Sequence, residues 1–191
     1  MRLDSVKVVS LALTATLLLS GVVSAAPNYT TDTFSDLDLD GFSELDVAYN
    51  NYAEVSLENT HNSQVVIRQE QTGFSSNKAK VSMTNASGSS VFLNQVGGGN
   101  IAVIEQRNGA NEASLTQLGH WHEAYIIQEG DFNQADINQL GASGNVNLTQ
   151  SNGGNYTRIV DFGGSDYSIN QSGDATFVIE SSMRRNISIE Q

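Results

Sequence analysis

The chain has 191 residues, no cysteine, one proline, and 21 acidic residues against 9 basic ones, for a formal charge of −12. Without thiols it cannot build a disulfide scaffold or a thiolate metal centre, and its negative field argues against nucleic acid and anionic lipid as direct partners, since both are held through basic patches. So little proline leaves the backbone N–H groups uninterrupted, which permits strand pairing over long stretches.

Residues 1–25 read as a secretory signal. Arg2 and Lys7 precede an apolar stretch over 8–19, and Val23, Ser24 and Ala25 supply small residues before a cut expected after Ala25. Cleavage removes two bases and one acid, so the mature chain is more negative by one. No later run reaches the roughly 18 apolar residues of a transmembrane span, and none is expected after signal cleavage. Residues 26–50 form an acidic segment expected to be largely unstructured; from 26 to 58 there are eight acids and no base. Within it, 36–41 alternates aspartate with leucine and ends on glycine, like the opening of a calcium loop. The pattern then fails at Ser43 and at Val47, where an apolar residue and a bidentate glutamate are needed. The stretch reads as a solvated linker, and no metal or cofactor is expected.

Residues 51–191 are repetitive, most regularly over 88–191. Glutamine recurs every eleventh residue at Gln95, Gln106, Gln117, Gln128, Gln139 and Gln150, and a glycine follows each by two or three positions. A bulky aliphatic residue stands two positions before each glutamine and a small or β-branched one usually four before, as in Ala113, Leu115 and Gln117. The template fits thirteen segments: 51–57, 63–69, 77–83, 89–95, 100–106, 111–117, 122–128, 133–139, 144–150, 155–161, 165–171, 175–181 and 185–191. Spacing two is the strand period; on a helix these positions would scatter around the cylinder. Connections rich in Gly, Asn, Ser and Asp suit tight reversals. A fixed period of this kind marks stacked units that bury their apolar faces only against one another. The expected fold is therefore all-β: a β-solenoid of strand-turn-strand-turn rungs of about 22 residues, with odd and even units forming two facing parallel sheets whose rungs repeat at roughly 4.8 Å.

Stacking places each glutamine on its own equivalent two units away. One ladder comprises Gln106, Gln128, Gln150, Gln171 and Gln191; the other comprises Gln69, Gln95, Gln117 and Gln139, followed by Asp161 and Ser181. Inward amides in register donate to one neighbour and accept from the other, as in cross-β assemblies. Asn100, Asn111, Asn133 and Asn155 should do the same at the opposite strand ends, and Asp161 should be a weak rung. Of the three histidines, His122 takes an asparagine slot and His120 falls in a turn, so a metal role for the pair is disfavoured.

The units 95–106 and 128–139 resemble the curlin repeat, Gln-x-Gly-x-x-Asn-x-Ala-x-Ile-x-Gln. The resemblance implies an amyloid-type β-solenoid and a non-enzymatic subunit of extracellular curli fibres on a Gram-negative surface, serving biofilm matrix formation and cell adhesion. It also implies itself, the other curlin subunit, and the outer-membrane secretion pore with its accessory proteins as partners. The final unit carries Arg184 and Arg185, with Arg185 in an inward slot where a bare charge is costly to bury. A basic last repeat is similar to the minor subunit, which nucleates and anchors the fibre. The alternatives are the major subunit that forms the fibre bulk, or a ligand-binding β-solenoid adhesin. The outward triplets Glu112/Ser114/Thr116 and Gln134/Asp136/Asn138 share no regular array of the kind an adhesin face needs.

Overall fold

The computed structural model describes residues 7–9, 13–20, 51–73, 75–182 and 185–191. All regular structure among them is strand. In chain order these are β1 (Lys7–Val9), β2 (Leu13–Ser20), β3 (Tyr52–Glu58), β4 (Ser63–Gln71), β5 (Lys78–Thr84), β6 (Ser90–Gly98), β7 (Ile101–Arg107) and β8 (Glu112–His120). There follow β9 (Glu123–Glu129), β10 (Gln134–Ala142), β11 (Asn145–Ser151), β12 (Tyr156–Asp161), β13 (Asp166–Ser172), β14 (Thr176–Ser181) and β15 (Asn186–Glu190). Odd strands form an eight-stranded sheet in the order β1-β3-β5-β7-β9-β11-β13-β15, and even strands a seven-stranded sheet from β14 back to β2. Every pairing is parallel, and each strand pairs with the next of its own sheet, one rung on. The molecule is a parallel β-solenoid.

Alternation decides what is inside. On β8 the side chains of Ala113, Leu115 and Gln117 are buried while Glu112 and Leu118 are exposed. Register keeps like on like: Leu115 pairs with Leu93 on one side and Ile137 on the other, and Ile126 with Ile104 and Leu148. The two sheets thus contribute facing columns of branched aliphatics, Ile67, Leu93, Leu115, Ile137 and Ile159 against Val81, Ile104, Ile126, Leu148 and Ile169, which form one continuous core. A small residue one slot earlier (Ala79, Ala102, Ala113, Ala124, Ala135) is also fully buried and lets the sheets approach at one margin.

The two corners of each rung differ, where the sequence suggested one kind of turn. After the even strands the ladder continues past the glutamine, so that β6, β8 and β10 each run nine residues and Gly97, Gly119 and Gly141 stack on one another. Gly119 has φ +137, and a Cβ there would run into the carbonyl of Gly141. Close backbone approach, not turn geometry alone, requires glycine at this position. After the odd strands β7 and β9 the ladder stops one residue past the glutamine and four residues make the connection, with left-handed backbone at Asn108 and Ala110 in the first (φ 69 and 55). The expected segments began at the Asn or Ser slot, whereas β8, β10 and β12 begin one residue later, because that residue belongs to the corner, where its side chain caps turn carbonyls.

Strands β1 and β2 fall within the stretch read as a signal. They extend the stack by pairing with β3 and β4, and Leu13, Ala15, Leu17 and Leu19 take register positions opposite Ser63, Val65, Ile67 and Gln69. An apolar segment with alternation meets an open parallel edge, and edge strands accept such partners readily. The cleavage site after Ala25, the segment 26–50 with its 36–41 motif, and Arg184 lie outside the described residues.

Ile137→Ala should lower stability by about 3 kcal/mol through the cavity it leaves between Leu115 and Ile159. Gly119→Ala should cost at least as much by parting the backbone ladder, while Gly88→Ala, with open space around its Cβ position, should cost only about 1 kcal/mol for its left-handed backbone. Guanidinium midpoints of the three variants check this order.

Candidate functional site

The interior of the solenoid carries two glutamine ladders. In the even sheet Gln69 Nε2 donates to Gln95 Oε1 (2.7 Å), Gln95 to Gln117 (2.8 Å) and Gln117 to Gln139 (2.9 Å). In the odd sheet Gln106 donates to Gln128 (2.8 Å), Gln128 to Gln150 (2.9 Å) and Gln150 to Gln171 (2.9 Å). All eight side chains have zero relative exposure. A primary amide has two N–H groups, and the second crosses to the opposing sheet: Gln95 to the carbonyl of Lys78, Gln106 to Ser90, Gln117 to Ile101, Gln128 to Glu112 and Gln150 to Gln134, at 2.9–3.1 Å. Each of these five glutamines therefore ties its rung to the next along the stack and also ties the two sheets together at the corner. Burying either donor without a partner would cost about 1–3 kcal/mol.

Asparagines line the other corners. Asn100 Nδ2 donates to Asn77 Oδ1 (2.9 Å), Asn133 to Asn111 (3.1 Å) and Asn155 to Asn133 (2.8 Å). Their second N–H groups satisfy corner carbonyls, as in Asn111 to Gly130 and Asn155 to Ser151. Donation here runs from the later rung to the earlier, opposite to the glutamine ladders, so the amide dipoles of the two ladder types oppose. Asn100 and Asn111 stand on different sheets; Asn100 continues the row of Asn77, and Asn111, Asn133 and Asn155 form the other.

Both ladder types are interrupted near one corner. His122 occupies the asparagine slot after Asn100, fully buried, and accepts at Nδ1 from the Gly144 N–H (3.2 Å). Burial holds its pKa below the ordinary histidine value, against the opposing pull of the Gly141 carbonyl and the Asp161 carboxylate. Asp161 follows Gln139 in register and precedes Ser181. It is completely buried and neither carboxylate oxygen accepts a hydrogen bond, because Gln139 turns Nε2 to the carbonyls of Glu123 and Gly144 instead (3.0 and 2.9 Å). A Cβ on Gly144 would collide with Asp161 Oδ2 and lie 3.2 Å from His122 Nδ1, which explains glycine in that slot. Thr157 was not singled out by the sequence: its hydroxyl accepts from Gln150 (3.2 Å) and donates to the side-chain oxygen of Gln171.

The C-terminal end of the stack is open. β14 and β15 are the last strands of their sheets, and their inward residues Phe177, Ile179, Ile187 and Ile189 are only partly buried, where equivalents inside the stack are fully so. Gln191 is exposed, and the structure gives it a backbone bond to the Asn170 carbonyl (3.1 Å) rather than a ladder bond from Gln171. Arg185 stands exposed at the same edge. No group of three or more His, Cys, Asp or Glu that could hold a metal occurs among the described residues, and no helix among them is long and apolar enough to cross a membrane.

A stack of this kind, with in-register amide ladders and an uncapped end, defines the class of amyloid-type β-solenoids. Residues 110–141 match the family model of the curlin associated repeat. No curated protein and no solved structure matches it.

Two interior variants test the interruptions. Because the folded-state pKa of His122 lies below its unfolded value of about 6.5, the folded state favours the neutral ring. Its contribution is complete above that pH and is lost as pH falls through the folded-state value. The denaturation midpoint should thus drop between pH 7.5 and pH 5.5, and His122→Asn, which restores the slot's usual amide, should flatten that dependence. Asp161→Gln should raise the unfolding free energy by about 1–2 kcal/mol by extending the ladder from Gln139; a lower stability would refute the register assigned to this slot.

Proposed function

We propose that this chain is an exported subunit of extracellular curli-type fibres that polymerises by stacking the last rung of one molecule on the first rung of the next. Curlin proteins are structural and non-enzymatic, and we read this chain in the same way. The observation that supports polymerisation is the half-covered row of Phe177, Ile179, Ile187 and Ile189 at the open C-terminal edge. Removal of the leader would open β3 and β4 at the other end. Edge strands of this kind are templates for further pairing, and a head-to-tail contact between unlike ends does not close, so it yields a filament. Continuing the register by translation alone would set Ile187 and Ile189 of one molecule on Ala53 and Val55 of the next. In that sheet the odd glutamine ladder would meet Leu57 and Met83 at the seam, so a translated junction would be apolar and would keep the amide ladders internal to each subunit.

Within that role we assign the chain to the minor, nucleating subunit, on the strength of its basic final repeat: Arg185 at the open edge leaves a charge where the next rung must pack, which suits an end that seeds or anchors better than one that elongates indefinitely. Biofilm matrix formation, adhesion to surfaces, and export through the outer-membrane curli pore with its accessory proteins follow as roles of such a fibre.

The leaderless protein should give thioflavin-positive filaments with a meridional reflection near 4.8 Å, and Ile189→Lys should slow elongation by at least tenfold. Soluble monomer that never yields the reflection would overturn the assembly reading. Removing 183–191 should abolish seeding of the partner subunit, and unchanged seeding would assign the chain to the fibre bulk.

A further inference from the structure

Without β1 and β2 the odd sheet keeps seven of its eight strands, β3 to β15, and the even sheet six of its seven, β4 to β14. The stack therefore ends half a rung out of step: β15 begins a rung that no even strand among the described residues completes. This decides how a second copy can sit on it. If the second molecule is only translated, its β3 covers β15 and its β4 lies level with that β3, so the even sheet lacks one strand between β14 and the incoming β4. Backbone N–H and C=O groups on both sides of that gap would go unpaired. A half turn about the stack axis removes the gap. Strands β3 and β4 of the second molecule then cover β14 and β15 of the first, as the next two units of the same repeat would.

The side chains also distinguish the two junctions. Gln191 follows the register pair of Asn170 with Glu190 in the odd sheet, and Gln69 holds the same template slot in the unit of β4. The half turn sets Gln191 on Gln69, Ile189 on Ile67 and Ile187 on Val65, and brings Glu190 over Arg68 on the outer face. On the other sheet it sets Phe177 on Ala53 and Ile179 on Val55. Translation would set Gln191 on Leu57, which offers an amide neither donor nor acceptor, and Glu190 on Ser56. Donation in both glutamine rows runs from the earlier rung to the later. After a half turn Gln191 is thus placed as donor and Gln69 as acceptor, in the same sense as the bonds on either side. Glu190 and Arg68 are both exposed, so their pairing selects the orientation more than it adds affinity.

We propose that successive molecules of the filament are related by a half turn as well as a rise, so that the odd sheet of each continues as the even sheet of the next. The inference rests on the head-to-tail assembly proposed above and names its partner, a second copy of this chain. The amide row from Gln106 to Gln191 then runs on from Gln69 to Gln139 of the next molecule. In the other sheet Asp161, Ser181, Leu57 and Met83 gather into a single break at each seam.

The absence of cysteine allows a thiol test on the leaderless protein. Arg68→Cys with Glu190→Cys sets thiols one strand spacing apart across the half-turn seam, about 4.8 Å and within reach of a disulfide. Ser56→Cys with Glu190→Cys does the same across the translated seam. After polymerisation and mild oxidation the first pair should give at least tenfold more covalent multimer than the second. Helical reconstruction of filaments of the unaltered chain supplies a second measurement: a rise of about 31 Å per molecule with a half turn added to the sheet twist, against about 34 Å without it for translation. Formed filaments in which the first pair does not link, or a rise of about 34 Å, would overturn the half turn and leave polymerisation standing. An unaltered chain that stays monomeric would overturn both.

Discussion

A buried primary amide must place two N–H donors and an oxygen, and in this molecule that can be done only when successive rungs are in step. Gln117 shows how: one N–H reaches Gln139 on the next rung, the other reaches the Ile101 carbonyl across the core, and its oxygen accepts from Gln95. A slip of one residue would turn the amide outward and bring an outward side chain in, stranding partners on three sides. Aliphatic burial supplies most of the driving force for folding, yet Leu, Ile and Val columns would tolerate several registers. The amides do not.

That constraint propagates to the corners and the ends. Because rungs must be superposable, the corner backbone has to repeat as well, which is why Gly119 lies against Gly141 and Asn111 caps the same carbonyls in its rung that Asn133 caps in the next. Superposable rungs also mean that nothing in the repeat itself terminates the stack. Irregular units do what terminators exist: the amide rows stop at Asp161 in one sheet, and in the other they begin only at Gln106 because Leu57 and Met83 hold the earlier slots. The curlin repeat of residues 110–141 thus sits in the most regular part of a molecule whose ends depart from the pattern in opposite ways, apolar at one and basic at the other.

The departures also show how far each kind of interruption is tolerated. His122 fits an asparagine slot because its Nδ1 accepts the Gly144 N–H, and because the rung above carries no side chain there. Asp161 is less well served, since a carboxylate can accept but not donate, and its nearest amide, Gln139, has turned to two backbone carbonyls. Both are paired in space across the same corner, one from each sheet, so a change in the charge of either alters the surroundings of the other.

Sequence alone determined the strand positions, the pairing of Gln95 with Gln117 and of Gln128 with Gln150, and the weak slot at Asp161. These follow from a period of eleven and an alternation of two, and periodicity is a property of the chain that needs no coordinates. Tertiary structure decided what depends on elements far apart in sequence. It set the second amide bond across the core, the opposed direction of donation in the Asn and Gln rows, and the glycine contact that occurs at one of the two corners. It set the meeting of His122, Gly144 and Asp161, and the burial of Lys80, Val103 and Glu105 on a face that alternation assigns to solvent. Pattern tells which side of a strand a residue faces; what stands opposite that side is settled only when the rungs are stacked.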